Sequence, residues 1–158
     1  MQSILDYPQM AAFIGEYTSK LDDRGRLIFP SELRAQAADK GASYVVRKNV
    51  FNSSLEMYTM EEWDKLSAQV KSRINLFSRE GNEVWEGFNR DRAIVTPDEK
   101  MSRITIPKPL LEKIQVQKEV VFVGQDFKIQ LWAKENWMAS AIPEDEFAAL
   151  FEKLLGHV

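Results

Sequence analysis

The chain has 158 residues, no cysteine, one histidine (His157) and a net charge of −3. Disulfides, thiolate nucleophiles and zinc–cysteine sites are excluded, and a histidine triad or multi-histidine metal site has no basis. Hydrophobic residues at 44% and charged residues at 28% describe a folded globular chain, with no run of about 18 apolar residues to span a bilayer and no base ahead of the first apolar stretch, MQSILDYPQMAAF, to mark a secretory signal.

In chain order, residues 1–12 read as an N-terminal extension. Phe13–Leu21 reads as a strand, Asp22–Gly25 as a turn and Arg26–Phe29 as a second strand. Pro30-Ser31 opens a short helix that Gly41 is expected to end. Tyr44–Arg47 and Leu55–Tyr58 are strands around the polar loop Asn49–Ser54, and Thr59-x-x-Glu62 is a capping box ahead of a helix holding Trp63 and Leu66. Residues 67–92 read as a helical connector interrupted near Gly81-Asn82. The second half gives Ile94–Thr96, Arg103–Ile106, Lys108–Ile114, Val120–Val123, Lys128–Trp132 and Lys134–Ala141, its last helix without the box because Ala133 stands where Thr59 does. The tail opens at Pro143, and Phe147, Leu150, Phe151, Leu154 and Leu155 form one apolar helical face behind an acidic first turn.

The two halves repeat. LDDRGRLIFPSEL (21–33) aligns with DEKMSRITIPKPL (98–110), placing Arg26 on Arg103 and Pro30 on Pro107, and Leu55–Tyr58 aligns further on with Ile129–Trp132. A duplicated unit of about 50 residues is too small to hold a core by itself, so the halves are expected to interdigitate about a pseudo-twofold axis. The chain divides into unit 1 at 13–66, connector 67–92, unit 2 at 93–141 and an amphipathic helix at 142–158.

The turn Asp22-Asp23-Arg24-Gly25-Arg26 carries the chemistry. Asp22 satisfies turn backbone, Gly25 supplies positive φ, and the stem projects Arg24 and Arg26, whose guanidinium forks suit phosphate and guanine edges. In the second copy Glu99-Lys100-Met101-Ser102-Arg103 keeps the arginine but has no glycine. Glu99 is expected to orient that turn, although Pro97-Asp98 offers a different closure. Arg47 and Lys48 read as rim charges near a loop, and the connector arginines Arg73, Arg79, Arg90 and Arg92 as salt-bridged helix surface. The tryptophans Trp63, Trp85, Trp132 and Trp137 read mainly as core. No phosphate-cradling glycine motif occurs, and neither a cofactor, a metal nor a small-molecule substrate is expected.

Phe13-x-Gly15-Glu16-Tyr17, then Leu21-Asp22-x-x-Gly25-Arg26-Leu27-x-x-Pro30, with Trp63, Val120–Gly124 and Ile129-x-Leu131-Trp132, resembles the MraZ family over residues 13–141. The resemblance implies an α+β, mainly β, fold: two pseudo-twofold-related SpoVT-AbrB half-units of the swapped-hairpin type sharing a small mixed β-barrel, flanked by helices. It implies a cytoplasmic, nucleoid-associated DNA-binding regulator that assembles into homo-oligomeric rings. Such a ring binds direct repeats in double-stranded promoter DNA and represses its own division and cell-wall operon. Arg24, Gly25, Arg26, Lys100 and Arg103 are the expected DNA-binding residues, with Asp22 and Glu99 orienting the turns. The net charge leaves room for this: residues 13–142 hold 20 bases and 19 acids, and the acidic excess lies in the tails. An oligomeric scaffold that needs no DNA and an antitoxin-like module of the same fold are the alternatives; an enzyme is the least expected.

Overall fold

The computed structural model describes residues 12–157, so the N-terminal extension lies, apart from Ala12, outside the described residues. Strands β1 (Phe13–Lys20), β3 (Tyr44–Lys48), β4 (Ser54–Thr59), β5 (Ala93–Val95), β7 (Glu119–Asp126) and β8 (Lys128–Ala133) form one antiparallel sheet in the order β1-β7-β8-β4-β3-β5. The short strands β2 (Arg26–Ile28) and β6 (Arg103–Thr105) pair only with each other, as a two-stranded ribbon. The repeat maps β1 on β5, β2 on β6, β3 on β7 and β4 on β8. Under that mapping the sheet order reads the same from both ends, with its centre between β4 and β8. Each half's first strand pairs with the other half's third: β1 with β7, and β5 with β3.

Alternation along the strands sends one set of side chains to each face. Tyr44, Val46, Leu55, Met57, Val120, Phe122, Ile129 and Leu131 face the ribbon, and Leu27, Phe29, Ile104 and Ile106 meet them from the other side to make the main core. The helices α1 (Ser31–Gln36) and α4 (Lys108–Lys113) close this core with Leu33, Leu110 and Leu111. Both start at the repeated proline, Pro30 or Pro107, whose fixed φ near −60° leads into the first turn. On the opposite face α2 (Met60–Arg73) and α3 (Arg79–Asn89) bring Trp63 and Phe88 onto Val45 and Tyr58, while Trp137 of α5 (Lys134–Ser140) covers Val121, Val123 and Trp132. The tail forms α6 (Glu144–Leu155). Among the described residues no helix is long and apolar enough to cross a membrane.

Three expectations are corrected. The sheet is open and not a closed barrel: β5 has three residues against eight in β1, too few to seam the edges, and the ribbon covers the apolar face instead. The connector breaks at Ile74–Ser78, not at Gly81-Asn82. Gly81 lies within α3, where a Cβ would come within 1.9 Å of the Asn75 carbonyl oxygen; it is glycine because backbone passes against it. The first short helix ends at Gln36, ahead of Gly41. The Thr59 cap forms as the sequence indicates, its Oγ1 accepting the Glu62 N–H at 3.2 Å.

Candidate nucleic-acid interface

In the ribbon Arg26 lies opposite Thr105, Leu27 opposite Ile104 and Ile28 opposite Arg103. The central pair turns inward and is buried. Period-two alternation therefore sends Arg26, Ile28, Arg103 and Thr105 outward, with the two arginines at diagonal corners. Ladder geometry separates such diagonal positions by about 7–8 Å. The depression beside the ribbon is lined by Arg26, Arg103, Thr105, Thr96 and Asp98.

Each arginine follows a turn closed by an aspartate. Asp22 Oδ1 accepts the backbone N–H of Arg24 at 2.9 Å and of Arg26 at 2.8 Å, and its Oδ2 accepts Arg26 Nε–H at 2.7 Å. Gly25 takes the left-handed conformation, φ +76°, that closes so short a turn. In the second copy Asp98 Oδ1 accepts the Met101 N–H at 2.7 Å, and Oδ2 accepts both the backbone N–H and the Nε–H of Arg103 at 3.2 Å. The left-handed residue there is Ser102, φ +55°. The carboxylate closing the second turn is thus Asp98. Glu99, expected in that place, is exposed one residue along, because the second turn is a residue longer than the first. The substitution of serine has a visible cost. A non-glycine residue in this conformation is strained by about 1–2 kcal/mol, and Ser102 Oγ is buried without a hydrogen-bond partner among the described residues.

The aspartates use only the Nε–H of each guanidinium. The terminal nitrogens of Arg26 and Arg103 make no hydrogen bond among the described residues, and the side chains are 31% and 33% exposed, so both forks are left without a partner at a part-exposed surface. Both carboxyls are held below the ordinary aspartate range, Asp22 chiefly by the Arg26 backbone N–H and Asp98 chiefly by that of Met101. They stay ionised, and the ion pairs stay made, throughout the neutral range.

The two turns are also tied to each other's strands. Phe29 N–H donates to the Ser102 carbonyl at 2.7 Å, and Ile106 N–H to the Gly25 carbonyl at 3.3 Å. Arg34 of α1 adds a brace, donating Nη1–H to the Asp98 carbonyl at 3.0 Å and Nε–H to that of Lys40 at 2.9 Å. Its sequence neighbourhood gives no sign of that role, since Asp98 is 64 residues away. Arg24 and Lys100 are exposed at the turn tips, one at each end of the ribbon.

Other basic residues are placed elsewhere. Arg47 is not a rim charge: it is 8% exposed, on the helix-covered face, with its guanidinium 4.9 Å from the Phe88 ring centre. It lies beside a buried polar knot in which Glu56 accepts from Asn49, Tyr58 and Lys128. Arg73, Arg79, Arg90 and Arg92 make no ion pair among the described residues; Arg92 lies instead over the Trp63 ring at 5.6 Å. Trp63 and Trp132 are buried, and Trp85 and Trp137 half-buried beside them. Among the described residues no cluster of three or more His, Asp or Glu side chains forms a cation site.

A family model described as "MraZ protein, putative antitoxin-like" matches residues 12–84 and 93–155. Curated proteins called "Transcriptional regulator MraZ" are similar over most of their length. That of Bacteroides thetaiotaomicron is 31% identical over 147 residues, covering 92% of this chain and 94% of the relative. That of Christiangramia forsetii is 31% identical over 150 residues, covering 94% and 96%. That of Dictyoglomus thermophilum is 35% identical over 127 residues, covering 79% and 82%.

Proposed function

Since the chain belongs to the MraZ family, we propose that it is a non-enzymatic transcriptional regulator that binds double-stranded DNA through the β2–β6 ribbon. The observation that carries this reading is the shared outward face on which Arg26 and Arg103 stand, each fixed by an aspartate through Nε with its terminal nitrogens unpaired. A two-stranded ribbon fits the major groove of B-DNA, where guanidinium forks reach guanine edges or flanking phosphates. Arg24 and Lys100 supply backbone contacts at the two ends, and Gly25 keeps the first turn short enough to approach the duplex.

The pairing of β1 with β7 and β5 with β3 supports the swapped-hairpin reading of the two half-units. One ribbon offers few phosphate contacts, and such contacts alone give dissociation constants of about 10⁻⁴–10⁻⁶ M. A ring of copies on regularly spaced promoter repeats gains roughly 10²–10⁴ by effective concentration. Occupied repeats would block transcription of the operon, and the working site is the nucleoid.

The test is a titration of wild type, Arg26→Ala and Arg103→Ala against a promoter fragment at two salt concentrations. Loss of a base contact weakens binding by about 1–3 kcal/mol and relaxes sequence choice, whereas loss of a phosphate contact lowers the salt slope by about one unit. The expected order is Arg26→Ala worse than Arg103→Ala, because the Arg103 turn is strained at Ser102 and its bonds to Asp98 are longer. Wild-type binding by both variants at both salts would refute the ribbon as the reading element.

A further inference from the structure

Of the four positions on the outward face of the ribbon, Arg26, Ile28, Arg103 and Thr105, only Ile28 is apolar. The repeat that sets Arg26 on Arg103 sets Ile28 on Thr105. The arginines match and the second pair does not. Both residues of that pair are β-branched and suit a strand, and Thr105 is exposed as Ile28 is. The ladder therefore accepts a hydroxyl-bearing residue at this place, and strand formation gives no reason for isoleucine. Ile28 is nonetheless 53% exposed, on the face that the proposed function turns toward DNA.

Its backbone is held from two sides. Ile28 lies opposite Arg103 in the ladder, and its carbonyl accepts Ser19 Oγ–H at 3.1 Å. A β-branched side chain on a fixed backbone has few rotamers to lose on docking. Two residues along a strand advance about 6.8 Å, the rise of two base pairs at about 3.4 Å each. Ile28 thus stands about two base steps from Arg26 when the strand follows the groove. An isoleucine side chain has neither donor nor acceptor. Over the major-groove edge of guanine, adenine or cytosine it would cover polar atoms and leave them unpaired, whereas thymine offers a 5-methyl group. The Thr105 hydroxyl both donates and accepts, so the equivalent place in the second half tolerates polar edges.

We propose that Ile28 is a specificity-determining residue of the ribbon, packing on the 5-methyl group of a thymine, and that the two halves of the ribbon differ in what they read because Thr105 stands where Ile28 does. This rests on the ribbon reading proposed above and assigns part of its sequence choice to a side chain that carries no charge.

The test titrates the full-length protein against a promoter fragment and against the same fragment with uracil in place of every thymine, a change that removes only the 5-methyl groups. Wild type should bind the uracil form about fourfold more weakly, as the loss of one buried methyl-sized group predicts. Ile28→Ser, at an exposed position, should keep the circular dichroism of wild type and bind both forms alike. Ile28→Val and Thr105→Ser should keep the discrimination. A purely structural role for Ile28 would instead lower affinity for both forms equally and leave their ratio unchanged. That result overturns the proposal, as does wild-type binding indifferent to the methyl groups or discrimination lost in Thr105→Ser. Arg26→Ala titrated alongside separates the proposal from the ribbon reading. Binding that is weakened by Arg26→Ala but indifferent to uracil removes Ile28 alone, and Arg26→Ala binding like wild type removes both.

Discussion

Asp22 and Asp98 show how much of the site hangs on two carboxylates. Each accepts three hydrogen bonds, and each serves its arginine twice, through backbone and through Nε. Their carboxyls are lowered below the ordinary aspartate value. The sign follows from linkage: the ionised form is favoured when folded, so the contribution is complete above the unfolded aspartate value and is lost as pH falls through the lower folded one. Carbon-detected NMR titration should give both side chains midpoints below the ordinary aspartate value, with the amide signals of Arg24, Arg26 and Met101 moving at the same midpoints. A midpoint for Asp22 at or above the ordinary aspartate value would contradict the turn geometry. Asp22, Gly25 and Arg26 were legible in the sequence because a four-residue turn leaves few ways to close. Asp98 was less legible: aligning the arginines puts Glu99 opposite Asp22, and only the backbone shows that the second turn admits an extra residue and moves the carboxylate back by one. Arg47 misled for a different reason. Its neighbours Lys48 and Asn49 look like loop, but strand alternation turns its side chain under α3.

At the level of elements, most strands and both proline-started helices were readable, because period-two burial and repeated turn chemistry leave a strong local trace. The break between α2 and α3 was not. Gly81 reads locally as a helix breaker, yet the structure uses it for its missing side chain. A methyl group at Gly81 would overlap the Asn75 backbone, with 1.9 Å to the carbonyl oxygen and 2.7 Å to the carbonyl carbon, so the link or the start of α3 must move. Gly81→Ala should therefore destabilise the protein despite alanine's better helix propensity, by about 1–3 kcal/mol as overpacked sites do. The displacement should also disturb the Trp63–Phe88–Trp85 stack. Urea unfolding followed by tryptophan emission checks both, as a lower midpoint and a changed native spectrum. An unchanged or raised midpoint would show that propensity outweighs the close approach. The barrel was beyond local reading because closure depends on edge lengths: the sequence marks β5 as a strand, but its three residues are set by where β3 offers partners.

For the whole molecule, the ribbon lies on one face of the sheet and the α2–α3 helices on the other, so the proposed DNA-binding ribbon stays clear of any contact made through the helical face. That separation makes the contribution of one arginine depend on how many copies engage the DNA. On a fragment with a single promoter repeat, loss of a base contact at Arg26 should weaken binding about tenfold, in the lower part of the 1–3 kcal/mol range. On a fragment with several repeats at native spacing the same substitution is present in every engaged copy. The losses then compound, to about a hundredfold for two copies, because each contact contributes to one linked event. Arg103→Ala should follow the same rule from a smaller single-repeat loss. Parallel titrations of the two variants against one-repeat and multi-repeat DNA check this compounding. Equal fold-losses for Arg26→Ala on both fragments would mean that a single copy does the reading, and the avidity mechanism would then have to be abandoned even with the ribbon confirmed.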